Sequence, residues 1–566
     1  MAEQAMADIK FPTDTKWANH TYEIYQIYYG DVDTTQDQGL LNLKYGANHA
    51  TGTAGSAVAQ TEIEALTEIT ANARNTKDLE DLLAMGGYVS LTNPYKTLTK
   101  DTDGKKVSVE TGYYLIKDKD GTVTGQNATD DAKAYTLYIL EVVDNEYIIS
   151  PKAETPTSDK QVADINDSVS TTAGEYGTDA DYDIGDAVPF KLTATTVNRV
   201  HDFKNYHITF QDDYSTGLNA PEYFTVTVGS LATFYMKADG TEFYTDATHA
   251  TKITENPGVV TTANGTKITV SAPTAAAGND FAIKVAFQNK DYNASGTDAQ
   301  KAAGIHTEAD SQTITVTYTQ VLNDNASMGS AGNPNTSFIQ YSSNPNSEDD
   351  SDEGTTPPVT TIVFTYKLEM DKVDPDLVGL KNAGFVLLKE RAGSYTGLTT
   401  LTAESTQADW TAIEKGTIIS YNSKNYEMVK NWGVNSSGFN FEAKGIDDGN
   451  YVIVETTVPT GYNRADDVAF TVQATHDNKT LSVLSAGDDF QSSTSGGDLT
   501  FTKGSLNHTV AAGTDATVAT VIENNSGATL PETGGIGTTI FYVAGSILVL
   551  AAAILLITKR RMGVND

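Results

Sequence analysis

The chain is 566 residues long, enough for about three or four domains, and it contains no cysteine, which excludes disulfides and thiolate metal sites as sources of stability. Its 74 acidic side chains outnumber 38 basic ones, and the formal net charge of -36 repels phosphate and rules out nucleic acid as a partner. With 8 histidines and no nucleophile motif, metal-ligand cluster or phosphate-cradling loop, the sequence gives no sign of an enzyme active site, a metal or another cofactor. Alternating stretches rich in Thr, Val and Tyr, separated by Asn-Gly and Asp-Gly turns, predict a mainly β protein.

The chain opens Met1-Ala2-Glu3-Gln4-Ala5-Met6-Ala7-Asp8. Ala5-Met6-Ala7 has the small-x-small form of a signal-peptidase site, so residues 1–7 read as the end of a leader and Asp8 as the region where the mature chain starts. Residues 8–153 predict one α+β domain. Strands are expected at Thr21–Tyr29, Tyr113–Lys117, Ala134–Val143 and Glu146–Ser150. Between Ala57 and Met85 the apolar residues Ile63, Leu66, Ile69, Leu79, Leu82 and Leu83 fall at helical spacing. Asp101-Thr102-Asp103-Gly104 and Asp118-Lys119-Asp120-Gly121 lack the later carboxylates of a calcium loop and read as hairpin turns.

The domain ends Tyr147-Ile148-Ile149-Ser150-Pro151-Lys152. This resembles the pilin motif of Gram-positive shaft pilins, a strand ending in Tyr-Pro-Lys, with Ser150 here in place of the Tyr and no upstream Trp. The resemblance implies that Lys152 receives the sortase-bound threonine of the next subunit. Pro151 stops the strand and leaves the amine at a domain boundary.

Residues 154–346 predict a β-sandwich, with alternating stretches at Val188–Thr195, Tyr206–Phe210, Tyr223–Val228, Lys267–Ser271, Phe281–Phe287 and Thr313–Thr319. The opening strand around Lys160, the segment Ile208–Leu218 and the ending Asn333–Tyr341 resemble the middle, collagen-adhesin A-type domain of fimbrial shaft pilins. That resemblance implies an intramolecular isopeptide bond between a lysine of the first strand and an asparagine of the last, assisted by a buried aspartate. Strand parity selects the residues: Asp212 is in phase with Ile208 and Phe210, whereas Asp213 shares the face of Thr209 and Gln211 and is expected to meet water. Asn335 is in phase with Ile339 and Tyr341, Asn344 with Gln340 and Ser342; Asn335 is preferred, with Asn344 the alternative. Lys160 shares its face with Val162.

An acidic and proline-bearing linker is expected at 347–358, and a further sandwich at 359–526. Phe364–Asp374, Leu380–Leu388 and Tyr451-Val452-Ile453-Val454-Glu455-Thr456-Thr457-Val458-Pro459-Thr460-Gly461-Tyr462 resemble collagen-adhesin B-type domains, the last being close to the family's E-box. Parity turns Lys372 inward with Tyr366, Leu368 and Met370, puts Glu455 with Tyr451 and Ile453, and puts Asn524 rather than Asn525 with Val518 and Ile522. These sets bring an amine, an acid and an amide together. Burial drives a lysine and a carboxylate toward their neutral forms, and a neutral amine can attack a carboxamide that a protonated Asp212 or Glu455 polarises. The proximity that the fold supplies is worth up to about 7–11 kcal/mol, and the reaction needs no cofactor.

The chain closes with Leu530-Pro531-Glu532-Thr533-Gly534, an apolar run over 537–558 and Lys559-Arg560-Arg561. As a helix the run would be roughly 30 Å long, enough to cross a bilayer, with the basic tail cytoplasmic. Pentapeptide, span and tail in that order over 527–566 resemble a sortase cell-wall sorting signal. The resemblance implies cleavage after Thr533 and an acyl-enzyme that an amine resolves. Together these stretches resemble a sortase-assembled major shaft pilin: tandem immunoglobulin-like sandwiches after an α+β domain, polymerised head to tail between Thr533 and Lys152 and supporting adhesion. The implied partners are a pilin-specific class C sortase, the housekeeping sortase, identical subunits, minor pilins and peptidoglycan. The runner-up is a singly wall-anchored adhesin or a basal or tip pilin.

Overall fold

The computed structural model describes residues 6–527, except 14, 16, 34–38, 73–82, 84–86, 124, 127–133, 150–154, 173, 294, 298–299, 301–302, 346–351, 474–498, 504–505 and 511–516, and also residue 549. The described chain is mainly β. Among the described residues no helix is long and apolar enough to cross a membrane. The apolar run over 537–558 lies, apart from Val549, outside them.

In the N-terminal part, Tyr22–Val32 is the spine of a five-stranded sheet, bonded to Gly112–Asp118 on one side and to Leu40–Tyr45 and Lys96–Leu98 on the other, with Leu137–Val142 beyond Gly112–Asp118. Alternation ordinarily leaves a strand one wet face. Here both faces are covered. Tyr22 and Ile24 pack with Ile9 and Trp17 toward a second sheet of Lys106–Glu110, Met6–Lys10 and Glu146–Ile148. Tyr25 and Ile27 pack with Leu66 and Leu83. The expected helix is described over Gln60–Asn72. Its Glu62 accepts hydrogen bonds from Tyr28 (3.2 Å) and Tyr45 (2.6 Å) and lies 3.1 Å from His49, which ties the first turn to the sheet. The side chains of Ile69, Leu79 and Leu82 are outside the described set.

Ala7 is buried in the strand Met6–Lys10, where Met6 and Ala7 pair with Glu110 and Val109. One sequence expectation changes here. Asp101–Gly104 is not a hairpin turn, because the flanking strands Lys96–Leu98 and Lys106–Glu110 belong to different sheets. It is a crossover, with Gly104 at φ 63 inside a short 3-10 turn.

In the middle part, a seven-stranded sheet runs Tyr176–Gly177, Thr157–Ala163, Ala187–Thr195, Thr313–Val321, Tyr223–Val228, Ala232–Lys237, Phe243–Tyr244. It faces a nine-stranded sheet ordered Asp179–Asp181, Val359–Phe364, Asn333–Ser342, Asn205–Tyr214, Phe281–Asn289, Thr266–Ser271, Val259–Thr261, with Glu353–Thr355 and Gly125–Gln126 attached. One apolar core fills the space between them, from Phe190, Val226 and Val316 on one side and Ile208, Phe210 and Ile283 on the other. The stretch read as a linker and as the start of a new sandwich is therefore partly strand. Glu353–Thr355 and Val359–Phe364 both pair antiparallel with Asn333–Ser342. The physical reason is composition: Val359 to Phe364 is rich in β-branched residues, Ile362 and Val363 are buried, and Pro357-Pro358 interrupts the edge without ending the sheet.

In the C-terminal part, a three-stranded sheet of Asn440–Ile446, Tyr366–Val373 and Thr517–Glu523 lies across a core from an eight-stranded sheet centred on Ala383–Glu390 and Gly449–Thr457. Beneath the outer face of that larger sheet, Trp410 is buried in a second cluster under the short helix Gln407–Thr411, whose N-terminus is closed by a Thr406–Asp409 capping box.

The last two parts are joined by polar groups rather than by a slack linker. Lys389, at the end of the run Phe385-Val386-Leu387-Leu388, is fully buried, with its Nζ 2.7 Å from both Asp167 and Asp183 and paired with Asp447. Arg391 pairs with Asp167, Asn166 donates to Asp448 (2.7 Å), and the Asp447 and Asp448 amides donate to Asp183 (3.1 Å) and Asp181 (2.9 Å). Gly449, at φ 152, lets this turn close: a Cβ there would come within 2.8 Å of Lys389 Cε.

Burial pushes the Asp186 carboxyl up to about 7, reinforced by Asp183 and Glu427 and opposed by Lys389 and Lys415. Burial likewise pushes Asp448 up to about 7, with Asp181 adding to the effect. A carboxyl raised on folding binds a proton that the unfolded chain has released, so these two groups favour the folded state below about 7. Their contribution fades as pH rises from about 4 through about 7. Lys389, held well above its usual range by its carboxylates, stays charged across this interval. Thermal unfolding of this part is expected at higher temperature at pH 5 than at pH 8. In Asp186→Asn the difference should shrink, as calorimetry at the two pH values would report.

Candidate functional site

The middle site is built by the two facing sheets. Thr157–Ala163 presents Lys160 from one sheet, and the adjacent strands Asn205–Tyr214 and Asn333–Ser342 present Asp212 and Asn335 from the other. All three side chains are fully buried. Lys160 Nζ pairs with Asp212 Oδ2 and donates to Asn335 Oδ1 at 2.5 Å. Burial lowers the Lys160 amine to about 8 against the pull of Asp212, and burial raises the Asp212 carboxyl. Each shift favours the neutral partner that amide attack requires. Asn344 is also buried, but it donates to Asp352 (2.8 Å) and lies in a separate contact.

Asp213 is exposed as parity requires, yet Thr209 and Gln211 on its face are buried. Gln211 donates to Gln340 (2.6 Å) and accepts from the Ala276 amide (3.0 Å), so a polar layer and the loop before Phe281 cover a face expected to be wet. Two further groups complete the site and were not found from the sequence. Tyr318 and Gln320, both from Thr313–Val321, reach Asn335 Nδ2 at 3.3 and 2.8 Å. The signal was available: Ile314, Val316, Tyr318 and Gln320 are in phase, so an amide stands on an otherwise apolar face.

The C-terminal site has a different layout. Lys372 lies on Tyr366–Val373, in register with Ile522 of the parallel neighbour Thr517–Glu523; Asn524 directly follows that neighbour, and Glu455 comes from the opposite sheet. Lys372 and Asn524 are buried, and Glu455 is 3 % exposed. Glu455 Oε1 accepts from Asn524 Nδ2 (2.9 Å), and its Oε2 accepts from the Ala465 amide (2.7 Å). Lys372 Nζ instead donates to the Ile522 carbonyl (2.9 Å) and the Val373 carbonyl (3.2 Å). Asn524 Oδ1 is buried with no hydrogen bond among the described residues. Burial lowers the Lys372 amine to about 8, with Glu455 opposing, and burial raises the Glu455 carboxyl. The structure thus puts acid and amide in contact, while the amine is held by backbone carbonyls. Lys367, of opposite parity on the same strand, pairs with Glu369 (2.6 Å).

Lys152 and the pentapeptide Leu530, Pro531, Glu532, Thr533 and Gly534 lie outside the described residues. The strand that leads to Lys152 is fixed up to Ile149, which is buried and donates to the Lys10 carbonyl at 3.0 Å.

Comparison with known proteins adds the end of the chain. Residues 522–562 match the LPXTG cell wall anchor motif. The chain is a cell-wall-anchored surface protein. Residues 366–486 of the anchored protein match the SpaA family, described as a prealbumin-like fold domain. No curated protein matches it. Among solved structures, it is similar to the T6 backbone pilin of serotype M6 Streptococcus pyogenes, at 14% identity over 93% of this chain and 100% of that one, with a TM-score of 0.44. It is also similar to the major pilin SpaD of Corynebacterium diphtheriae (14% identity, 93% and 98% covered, TM-score 0.38) and to the pilus 2b backbone protein of group B streptococcus (22% identity, 62% and 97% covered, TM-score 0.32).

Proposed function

We propose that the anchored protein is the repeating subunit of a covalently polymerised surface pilus. In this reading it comprises an N-terminal pilin domain (8–153), a middle isopeptide sandwich beginning at 154 and a C-terminal sandwich ending near 526. Sortase cleaves after Thr533 and joins its carbonyl to Lys152 of the next subunit, while Lys160–Asn335 and Lys372–Asn524 bonds, assisted by Asp212 and Glu455, brace the two sandwiches. The observation that carries the reading is the contact of a buried amine, acid and amide at Lys160, Asp212 and Asn335 inside a wall-anchored chain. An ordinary core does not collect these groups without cost, since each would be desolvated for no gain.

The link from Thr533 to Lys152 uses two different surfaces, and such head-to-tail contacts extend into filaments rather than closing into dimers. A pilin-specific sortase would form the links, and a housekeeping sortase would pass the filament to peptidoglycan. Lys152→Arg keeps the charge and removes the nucleophile, so it is expected to abolish the high-mass ladder on denaturing gels of wall extracts and leave monomer. A ladder of unchanged length would instead favour another acceptor lysine.

A further inference from the structure

We propose that Tyr318 and Gln320 belong to the bond-forming apparatus of the middle site, Tyr318 as the relay that delivers a proton to the departing nitrogen of Asn335 and Gln320 as the group that orients that nitrogen. The inference rests on the cross-linking reading above and assigns the leaving-group side of the reaction at this site.

The geometry around Nδ2 carries the argument. Gln320, 1 % exposed, donates its Nε2 to the Asn219 carbonyl (2.9 Å), so its Oε1 is committed to accepting, and what it accepts is Asn335 Nδ2 at 2.8 Å. That contact settles which way the Asn335 amide faces: its oxygen toward Lys160, its nitrogen away from the attacking amine. Tyr318 stands between the acid and that nitrogen. Its hydroxyl donates to Asp212 Oδ2 at 3.1 Å, accepts from Asn335 Nδ2 at 3.3 Å, and accepts from Lys160 Nζ at 3.1 Å. No hydrogen bond runs directly from Asp212 to Asn335 among those of the described residues, so the phenol bridges the two. Packing does not explain the hydroxyl. The ring stacks on Phe190 (5.4 Å) and meets Phe224 and Phe281 edge-on, contacts a phenylalanine would make equally well.

The step balances without any other reactant. Starting from a neutral Lys160 amine and a protonated Asp212, Nζ adds to Cγ of Asn335 and the Nζ–Cγ bond forms. Asp212 gives its proton to Tyr318 as Tyr318 gives its own to Nδ2. The Cγ–Nδ2 bond then breaks with its electron pair on nitrogen, and Asp212 recovers a proton from Nζ. One amine hydrogen and the amide NH2 leave as ammonia, and both acid and phenol return to their starting states.

The test uses the full chain, synthesised in a pulse, denatured at intervals and digested, with the joined Lys160–Asn335 peptide measured against its unjoined halves. Tyr318→Phe keeps the ring contacts, and Gln320→Met keeps the volume. Each is expected to slow joining at the middle site, Tyr318→Phe by about a hundredfold or more, the low end of what positioned acid–base groups supply, and to leave the Lys372–Asn524 peptide joining at the wild-type rate. Joining at the wild-type rate in both variants would overturn the assignment while leaving the cross-link intact. A wild-type chain that never joins Lys160 to Asn335 would overturn the cross-linking reading with it. Should native proteolysis reveal one variant as unfolded, the other decides.

Discussion

An Asp212→Ala chain is expected to keep Lys160 and Asn335 as separate side chains, to weigh about 17 Da more than the wild type after allowing for the substitution itself, and to unfold far more easily. Removing the carboxyl takes away both the group that polarises the Asn335 carbonyl and the acceptor of the Lys160 protons, and it leaves an amine in a core where burial has already lowered it to about 8. If loop-closure reasoning for disulfides applies, losing a link across so long a loop costs on the order of 5 kcal/mol. Glu455→Ala is expected to do the same at the second site. Because the two sites share no side chain, the effects should add. Intact mass and denaturant titration of both single variants and the double variant check this. A wild-type ectodomain whose mass equals the plain sum of its residues would sink the idea of internal links altogether.

Lys389→Ala should be the most damaging single change outside the cross-linking sites. It strands the carboxylates of Asp167, Asp183 and Asp447 in a buried space with one cation removed. Breaking buried ion pairs in this one-sided way typically costs about 3–5 kcal/mol. Because Asp167 and Asp183 come from one sandwich and Lys389 and Asp447 from the other, the loss should appear as independent melting of the two in a calorimetric scan. Asp447→Asn in the same background relieves part of the repulsion and should restore some of the loss. A single sharp transition at the wild-type temperature in Lys389→Ala would contradict this account of how the two parts are held.

Much of the fold was legible because strand alternation is a strict rule of geometry. It separates Asp212, fully buried, from exposed Asp213, and Lys372 from the paired, partly accessible Lys367. It was silent where a second layer covers the supposedly wet face, as over Gln211, since alternation records side-chain direction and not what lies beyond. It also misjudged the run from Glu353 to Phe364, because acidic residues and two prolines suggest a linker only while the pairing partner, Asn333–Ser342, is unknown. The Lys389 cluster depends on side chains more than two hundred positions apart. One local signal is present in the sequence: Lys389 follows directly on the apolar run Phe385-Val386-Leu387-Leu388, and a lysine buried with such a run needs counterions.

The pairing of Tyr366–Val373 with Thr517–Glu523 is parallel, and these are the strands through which the chain arrives at and leaves the C-terminal sandwich. A pull applied from the two ends slides parallel neighbours along each other, so the register from Lys367↔Thr517 to Val373↔Glu523 resists as a block instead of peeling one rung at a time. An antiparallel arrangement of the same two strands would open like a zip under the same force. A molecule stretched in a flowing or beating environment would thus be braced by direction as well as by chemistry, and stiffness should survive along this axis while sideways bending is absorbed elsewhere.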